Sequence, residues 1–319
     1  MSTPPELGTD GDAASWVAAH RDEIRSVLAD QGAIHLRDVG IADALDVSAV
    51  TNHVASGLMA DQEAFAERET LEGGVFSSSA WPANQQMCMH HELSYRLEFP
   101  GVMTFGCLRA ADAGGAIGIA DSSSVLDALP PDLVERFTRE GWMLTRSYTD
   151  EIGQSVDEAF GTADRRAIEA YCRANAIEFE WQSDGGLRTR QLRSAVVHHP
   201  RTGRPCWFNQ IAFLSEWTMK PEVHEFLVDM YGADGLPFNT RHGNGEPIDQ
   251  DVVTAINDVY DSNTMFVEPE AGDLVFVDNI RCAHSREPFE GPRQIVVALA
   301  DPVQLADLSP TIDVPTGTG

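Results

Sequence analysis

The feature that most limits how this chain can fold is a series of short apolar runs in its C-terminal third. The runs are Thr264–Val267, Asp273–Val277, Cys282–Arg286 and Gln294–Leu299. Residues that favour turns separate them, such as Gly272-Asp273 and the segment PFEGP at 288–292. Short strands at such close spacing are typical of a β-sandwich or a jelly roll. We therefore predict a β-sheet core for this third of the chain.

Helices are the main elements predicted for the first two thirds. Apolar residues at helical spacing between Ser15 and Ala29 predict a first helix, and Gly32 follows it as a stop signal. Further helices are predicted at Ile41–Leu58, Pro130–Glu140, Asp164–Ala176, Pro221–Tyr231 and Asp249–Tyr260. Together these patterns indicate an α+β protein, with a double-stranded β-helix (jelly-roll) core decorated by helices and a long insert.

The 319 residues are expected to form one domain, because the helices decorate a single predicted sheet core. This single jelly-roll domain is predicted to span residues 13–303. Residues 1–12 are rich in Pro, Gly and Asp, so we expect a disordered N-terminal tail there. Residues 304–319, which end in PTIDVPTGTG, are expected to form a loose C-terminal tail.

A large excess of acidic residues gives the chain a formal net charge of −28, from 22 Lys and Arg against 50 Asp and Glu. Such a surface repels nucleic-acid backbones and anionic lipids, so neither is an expected partner. No apolar run approaches the roughly 18 residues of a membrane span, and the N-terminus lacks the features of a secretory signal. The five cysteines are odd in number, widely spaced and without a CxxC pair, which favours reduced thiols in the cytoplasm.

The segment MCMHHELSYRLEFP, residues 87–100, contains the strongest candidate for a metal site. A His-x-Glu pattern alone carries little information, because ten histidines and 50 acidic residues produce such pairs by chance. If the segment is extended, however, residues two apart face the same side. His90 and Glu92 are then able to hold one ion together, while His91 points away.

The candidate for a third ligand is His284, in the run GDLVFVDNIRCAHSREPFEGPRQIVVAL. Two histidines and one carboxylate on one face of an ion are typical of non-haem iron(II) oxygenases. Three such ligands leave three adjacent coordination positions of the ion open. A bidentate 2-oxo acid takes two of these positions, and dioxygen takes the third. The far carboxylate of that co-substrate needs a buried cation, and Arg293 has a suitable planar guanidinium. The residues alone leave a second interpretation open, with His90 as a core histidine and His284 as a loop histidine.

Five motifs in a familiar order connect the chain to a known family. They are MHHELSY, GGAIGIADSSSVLDALPPDLVERF, HPRTGRPCWFNQ, GNGEPI and GDLVFVDNIRCAHSREPFEGPRQIVVALAD. With these motifs the chain resembles the taurine dioxygenase/clavaminate synthase superfamily of Fe(II)/2-oxoglutarate-dependent oxygenases, and most closely the branch resembling the syringomycin-pathway hydroxylase. The resemblance extends from about Gly32 to Pro302. It implies Fe(II) as cofactor, with 2-oxoglutarate and dioxygen as co-substrates.

The resemblance also implies a role for individual residues. The metal ligands fall on His90, Glu92 and His284. The arginine that binds the distal carboxylate of 2-oxoglutarate falls on Arg293, and Arg286 is the second candidate for such a contact.

Two further motif positions bear on ligand binding. Ile117 takes the place of the threonine in the family's GGET motif, here Gly114-Gly115-Ala116-Ile117. That threonine often helps to hold the 2-oxoglutarate carboxylate, whereas isoleucine has no hydroxyl. Asn209 matches the family's WFNQ motif and is the candidate substrate residue, with a purely structural turn asparagine as the equal alternative.

Glu92 bears on the type of reaction as well. The halogenases of the superfamily have a small residue at this position, which frees a site for chloride, so a glutamate favours hydroxylation. The branch resemblance implies an amino-acid-like substrate, free or tethered to a carrier protein, in natural-product biosynthesis. The net charge of −28 repels acidic carriers and favours a free small molecule. Desaturation or cyclisation, a zinc hydrolase with the same ligands, and a non-catalytic metal-binding protein remain open alternatives.

Overall fold

The computed structural model describes residues 13–63 and 65–314, and it combines helices with antiparallel sheets. The helices are α1 (Ala13–Ala19), α2 (Arg21–Gln31), α3 (Ala44–Val54), α4 (Ser122–Ala128), α5 (Pro131–Glu140), α6 (Val156–Phe160), α7 (Arg165–Ala174), α8 (Pro221–Tyr231) and α9 (Gln250–Asn263). The strands are β1 (Ala33–Leu36), β2 (Phe76–Ser77), β3 (Met87–His90), β4 (Glu98–Arg109), β5 (Ala113–Gly114), β6 (Ile117–Asp121), β7 (Trp142–Tyr148), β8 (Ile177–Trp181), β9 (Leu187–Arg193), β10 (Val196–His198), β11 (Pro205–Trp207), β12 (Phe238–His242), β13 (Thr264–Val267), β14 (Leu274–Asp278), β15 (Cys282–Arg286), β16 (Phe289–Glu290) and β17 (Gln294–Gln304). This mixture agrees with the predicted α+β class. The predicted disordered tail, residues 1–12, lies outside the described residues.

Two sheets form the centre of the protein. The first has the strand order β1-β14-β4-β17-β2, and the second has the order β13-β6-β15-β3. Since alternate residues of a strand face opposite sides, the first sheet contributes to two apolar cores. Phe105 and Val297 pack in the core that includes Ile119 of the second sheet. Phe276 and Val296 pack in the core formed with α1, α2 and α3, so the N-terminal helices cover the outer face of this sheet.

A third sheet, with the order β12-β7-β9-β8, is formed by chain that lies between α5 and α9. It has its own apolar cluster with α6 and α7, which includes Tyr148, Phe160, Ile168 and Leu187. The chain leaves the second sheet after β6 and returns to it at β13, and these two strands pair with each other. This segment corresponds to the long insert expected from the sequence.

The predicted first helix is divided in two. α1 ends at Ala19 and α2 begins at Arg21, with His20 between them. The His20 ring stacks on Trp16, at 3.8 Å between ring centroids, and its Nδ1 bonds to the Trp16 carbonyl. These contacts favour a turn over a continuous helix. The stop at Gly32 is confirmed, because Gly32 has a left-handed φ of +82° and donates to Leu28 O.

The C-terminal segment differs from the loose tail that was expected for residues 304–319. β17 continues to Gln304, and Leu305 and Leu308 of the following 3-10 turn are buried. Thr311 N donates to Ser194 Oγ at 3.0 Å, which attaches the chain end to β9 and β10. The sequence did not predict this attachment, because Leu305 and Leu308 alone form too short an apolar pattern to indicate a buried turn. Residues 315–319 lie outside the described part of the chain.

Two further expectations concern cysteines and membrane spans. Cys88, Cys107, Cys172, Cys206 and Cys282 all carry free thiols, as predicted. Within residues 13–63 and 65–314, no helix combines the length and apolar character needed to cross a membrane.

Candidate metal and co-substrate site

The two candidate histidines are neighbours on adjacent strands. His90 is the last residue of β3, and it pairs directly with His284 of β15 across the antiparallel register. Their ring centroids are 4.4 Å apart. The extended conformation predicted for Glu92 is wrong, because β3 ends at His90 and Glu92 lies in a turn that contains Leu93 at a φ of +54°. The turn nevertheless brings the Glu92 carboxylate to the histidines.

Asn279, the residue that follows β14, holds this turn and was not among the candidate residues selected from the sequence. Glu92 N donates to Asn279 Oδ1 at 2.7 Å, and Asn279 Nδ2 donates to Glu92 O at 3.0 Å. His91 points away from the cluster, as expected: its Nδ1 donates to Asn279 O, and its Nε2 accepts from Ser122 Oγ. Burial lowers the pKa of His91 to about 4, so this histidine is neutral.

Three side chains converge on one point, and they are the three that the sequence selected. Glu92 Oε2 lies 3.7 Å from His90 Nε2 and 3.8 Å from His284 Nε2. One donor atom from each residue lies within 4.8 Å of the other two. All three residues are buried, with 1%, 2% and 5% of His90, Glu92 and His284 exposed. The arrangement is therefore a compact N, N, O donor set inside the protein.

These donor atoms fit a divalent metal ion. Glu92 Oε2 is buried and has no hydrogen-bond partner among the described residues, which costs free energy unless a cation lies against it. His90 Nδ1 donates to Cys88 O at 2.8 Å, so its Nε2 is left with a free lone pair for a metal ion. Two imidazole nitrogens with one carboxylate oxygen are the donor set of the facial triad of non-haem iron(II) enzymes.

Arg68 belongs to the same cluster and was not found from the sequence. Its Nη2 lies 3.0 Å from Glu92 Oε1, and its Nε donates to Ser79 Oγ at 2.8 Å. Burial alone would raise the pKa of the Glu92 carboxyl, but Arg68 and the two histidines hold that pKa well below its usual range. Arg68 lies in a polar loop far from any recognised motif, so no local pattern indicates its position.

Aromatic side chains form one wall around His90. Phe213 stacks on the His90 ring with 4.5 Å between centroids. Phe65 lies 4.8 Å from Phe213 and 6.3 Å from His90, both in edge contact, and Trp81 is close to both phenylalanines. Such a wall fixes the orientation of the histidine ring and limits access of water to this side of the site.

A cavity beside the histidines contains a second cation, which is half-buried. Arg293 lines it together with His90 and His284, and its Nη2 donates to Gly115 O at 3.3 Å. Gly115 has a φ of +78°, and a Cβ atom there would lie 3.1 Å from Arg293 Nε, so the glycine makes room for the guanidinium. Burial lowers the pKa of Arg293 to about 10, helped by nearby Arg286. The side chain therefore remains charged at neutral pH.

Comparison with known proteins establishes the family. Residues 2–299 match the family described as taurine catabolism dioxygenase TauD, TfdA family. The chain belongs to this family. It is a non-haem iron, 2-oxoglutarate-dependent dioxygenase, and it uses Fe(II), 2-oxoglutarate and dioxygen. The resemblance predicted from the sequence motifs is confirmed.

Individual proteins of known sequence or structure are similar over most of their length. The dapdiamide synthesis protein DdaC of Enterobacter agglomerans is 34% identical over 280 residues, covering 88% of this chain and 85% of that protein. The PvcB protein of Pseudomonas aeruginosa has a TM-score of 0.54 and 14% identity, covering 92% of this chain and 84% of that one. A taurine dioxygenase from Burkholderia xenovorans has a TM-score of 0.52 and 15% identity, covering 100% and 94%. At these identities the two structures show that the chain shares the fold of TauD-like oxygenases.

Arg286 and Ile117, the other two predicted co-substrate residues, line the same cavity as Arg293. The Arg286 Nη2 group donates to Pro82 O and Gln85 O, at 2.9 and 2.7 Å, so part of its hydrogen-bonding capacity is already used. Ile117 is the first residue of β6 and is buried. In this candidate site, the Arg293 guanidinium thus has fewer hydrogen bonds to the protein than that of Arg286.

Asn209 lies away from this cavity. It is buried, its Nδ2 donates to Ala195 O at 3.2 Å, and its Oδ1 accepts from Ile211 N at 3.1 Å. Both side-chain hydrogen bonds go to the main chain, which favours the structural alternative considered above. A role for Asn209 in substrate binding stays a prediction.

Ile117→Thr is expected to tighten 2-oxoglutarate binding, if the missing hydroxyl is the family's contact to the co-substrate carboxylate. A hydrogen bond to a charged group contributes about 1.5–3 kcal/mol, which sets the upper limit of the gain. Titration of the Fe(II)-loaded protein with 2-oxoglutarate under anaerobic conditions measures the effect. Ile117→Val is the control, because it shortens the side chain without adding a hydroxyl. Equal affinities in the two variants would show that another donor already serves this carboxylate.

Proposed function

We propose that this dioxygenase hydroxylates an unactivated C–H bond of an amino-acid-like substrate in natural-product biosynthesis. The observation that carries the proposal is the convergence of His90, Glu92 and His284 beside the half-buried Arg293. The similarity to DdaC, a protein of dapdiamide synthesis, supports the kind of pathway. Five free thiols and an acidic surface suit the cytoplasm, where we expect the protein to act.

His90, Glu92 and His284 hold the iron in this proposal, and the charged Arg293 binds the distal carboxylate of 2-oxoglutarate in the adjoining cavity. When bound, iron and 2-oxoglutarate supply an oxidation in which dioxygen gives one oxygen atom to the substrate and one to succinate, with release of carbon dioxide. The chain orients the reactants and excludes water. Phe213 keeps His90 in position by stacking, while Asn279 holds the Glu92 backbone.

Glu92 supports hydroxylation over halogenation. Its Oε2 already faces both histidines, and a carboxylate there takes the position that chloride needs in the halogenases of the superfamily. Desaturation or cyclisation would need the same residues and a different substrate pose.

We also infer that the first and second sheets are the two halves of a double-stranded β-helix. Support comes from the shared core between Phe105 of the first sheet and Ile119 of the second, with the His284 ring 5.2 Å from the Phe105 ring between centroids. This arrangement places the cavity between the sheets, where a jelly roll encloses a ligand.

Succinate release in the presence of candidate substrates tests the proposal. The Fe(II)-loaded protein is incubated with 2-oxoglutarate, dioxygen and a panel of free amino acids and their side-chain amides. We expect one class of these to raise succinate release several-fold and to gain one oxygen atom by mass spectrometry. His284→Ala is the matched negative control.

The outcomes of this screen separate the alternatives. Loss of two hydrogens from the substrate would indicate desaturation or cyclisation instead of hydroxylation. Stimulation only by carrier-tethered amino acids would overturn the preference for a free substrate. Hydrolysis of a substrate by the zinc-loaded protein, without succinate release by the Fe(II)-loaded protein, would overturn the proposed hydroxylation.

A further inference from the structure

Arg68 is held so that its guanidinium meets Glu92 in one fixed orientation. Its Nε donates to Ser79 Oγ, its Nη2 lies 3.0 Å from Glu92 Oε1, and its Nη1 lies 3.7 Å from Asp61 Oδ2. The Arg68 side chain is only 7% exposed. The other carboxylate oxygen, Glu92 Oε2, is the one that faces both histidines.

The loop that carries Arg68 is anchored to the insert. Glu63 is 1% exposed, and its carboxylate accepts hydrogen bonds from Tyr171 of α7 and Gln191 of β9. Its carbonyl accepts from Tyr95 and Arg146. The position of Arg68 beside Glu92 is therefore built into the fold and does not depend on a surface side chain finding a partner.

We propose that Arg68 is a positioning residue that makes Glu92 a ligand through one oxygen only. The inference rests on the proposed role of Glu92 as a metal ligand. A carboxylate with two free oxygens is able to chelate a divalent ion, which takes two coordination positions. Because Arg68 Nη2 occupies Oε1, only Oε2 is available. One position next to the bound 2-oxo acid then stays open for dioxygen.

Stability alone is a poor explanation for this arrangement. Burying Arg68 with the Glu92 and Asp61 carboxylates costs desolvation free energy that an apolar cluster would avoid. Arg68 also lines the cavity that contains His90 and His284, whereas a purely structural pair has no reason to be there. The ion pair is explained better by what it does to Glu92.

Arg68→Met tests the inference, because methionine keeps much of the length and removes every donor. Nitric oxide serves as a probe for the position of dioxygen, added anaerobically to the Fe(II) and 2-oxoglutarate complex. We expect Arg68→Met to retain Fe(II) and 2-oxoglutarate but to bind nitric oxide at least about tenfold more weakly, the lower end of the effects on metal affinity or activity that follow changes in the outer partners of a ligand. Electron paramagnetic resonance and visible absorption both report the adduct.

Arg96→Met is the matched control. Arg96 is also buried, lies near Asp61 and donates to Gln62 O, but no hydrogen bond or ion pair among the described residues joins its side chain to Glu92. The Arg96→Met variant should bind nitric oxide as tightly as the wild-type protein does. An equal loss in both variants would show a general disturbance of this loop and would overturn the role of Arg68, as would wild-type affinity in Arg68→Met.

Arg68→Lys covers the case in which the methionine variant does not fold. Lysine keeps the charge but lacks the planar fork that contacts Ser79 and Glu92 together, so a smaller loss is expected. Wild-type affinity for nitric oxide in Arg68→Lys would then overturn the inference. A failure of the proposed function gives a different result from a failure of this inference. If Glu92 is not a metal ligand, Glu92→Ala will bind Fe(II) as tightly as the wild-type protein.

Discussion

Glu92→Ala is expected to abolish substrate hydroxylation while weak Fe(II) binding through His90 and His284 remains. The change removes the only charged ligand and leaves the dication under-neutralised next to Arg68. Changing a residue that hydrogen-bonds to a metal ligand already lowers metal affinity or activity by about 10–100-fold. Loss of the ligand itself should therefore lower turnover by more than about 100-fold. Product analysis at saturating Fe(II) and 2-oxoglutarate measures it.

Glu178→Ala on β8 is a suitable control, because Glu178 is exposed and lies in the third sheet, which contains none of the candidate ligands. Full hydroxylase activity in Glu92→Ala would show that Glu92 is not a ligand. Chloride provides an independent check. The wild-type protein should form hydroxylated and not chlorinated product even at high chloride concentration, and a chlorinated product would contradict the proposed use of Glu92.

Arg293→Ala is expected to raise the 2-oxoglutarate requirement and leave Fe(II) binding nearly intact. The half-buried guanidinium lines the cavity beside the histidines, and no described carboxylate forms an ion pair with it. Charged hydrogen bonds contribute about 1.5–3 kcal/mol, so KM for 2-oxoglutarate should rise by about 10- to 100-fold. Steady-state kinetics with 2-oxoglutarate as the varied reactant measures the change.

Arg286→Ala is the comparison for this variant. It should have a smaller effect on KM, because Arg286 Nη2 is already bonded to two main-chain carbonyls. If Arg293→Ala leaves the requirement unchanged and Arg286→Ala raises it, the two arginines have exchanged the roles assigned here.

The sequence predicted the candidate site well where the information is local to a motif. His90, Glu92, His284 and Arg293 stand at recognisable positions, and the structure brings all four to one cavity region. The reason given for Glu92 was wrong, however. A turn held by Asn279, not strand alternation, directs its carboxylate, and backbone turns of this kind depend on a partner far along the chain.

Contacts between distant segments account for most of what the sequence did not predict. Arg68 meets Glu92 from a loop whose Glu63 is bound by residues of the insert, and none of these residues has a periodic pattern or motif that pairs them. The anchored segment at Leu305 and Leu308 has the same origin, since its burial depends on the core formed by other strands. Local propensity carries no information about such tertiary contacts.

The direct pairing of His90 with His284 has a consequence for how the protein acquires its iron. The strands β3 and β15 are separated by the entire insert, so their pairing closes a very long loop of chain. During synthesis, a nascent chain that ends before β15 has His90 and Glu92 but lacks the second histidine. If these residues hold the iron, the complete site forms only after β15 has been synthesised and has paired with β3.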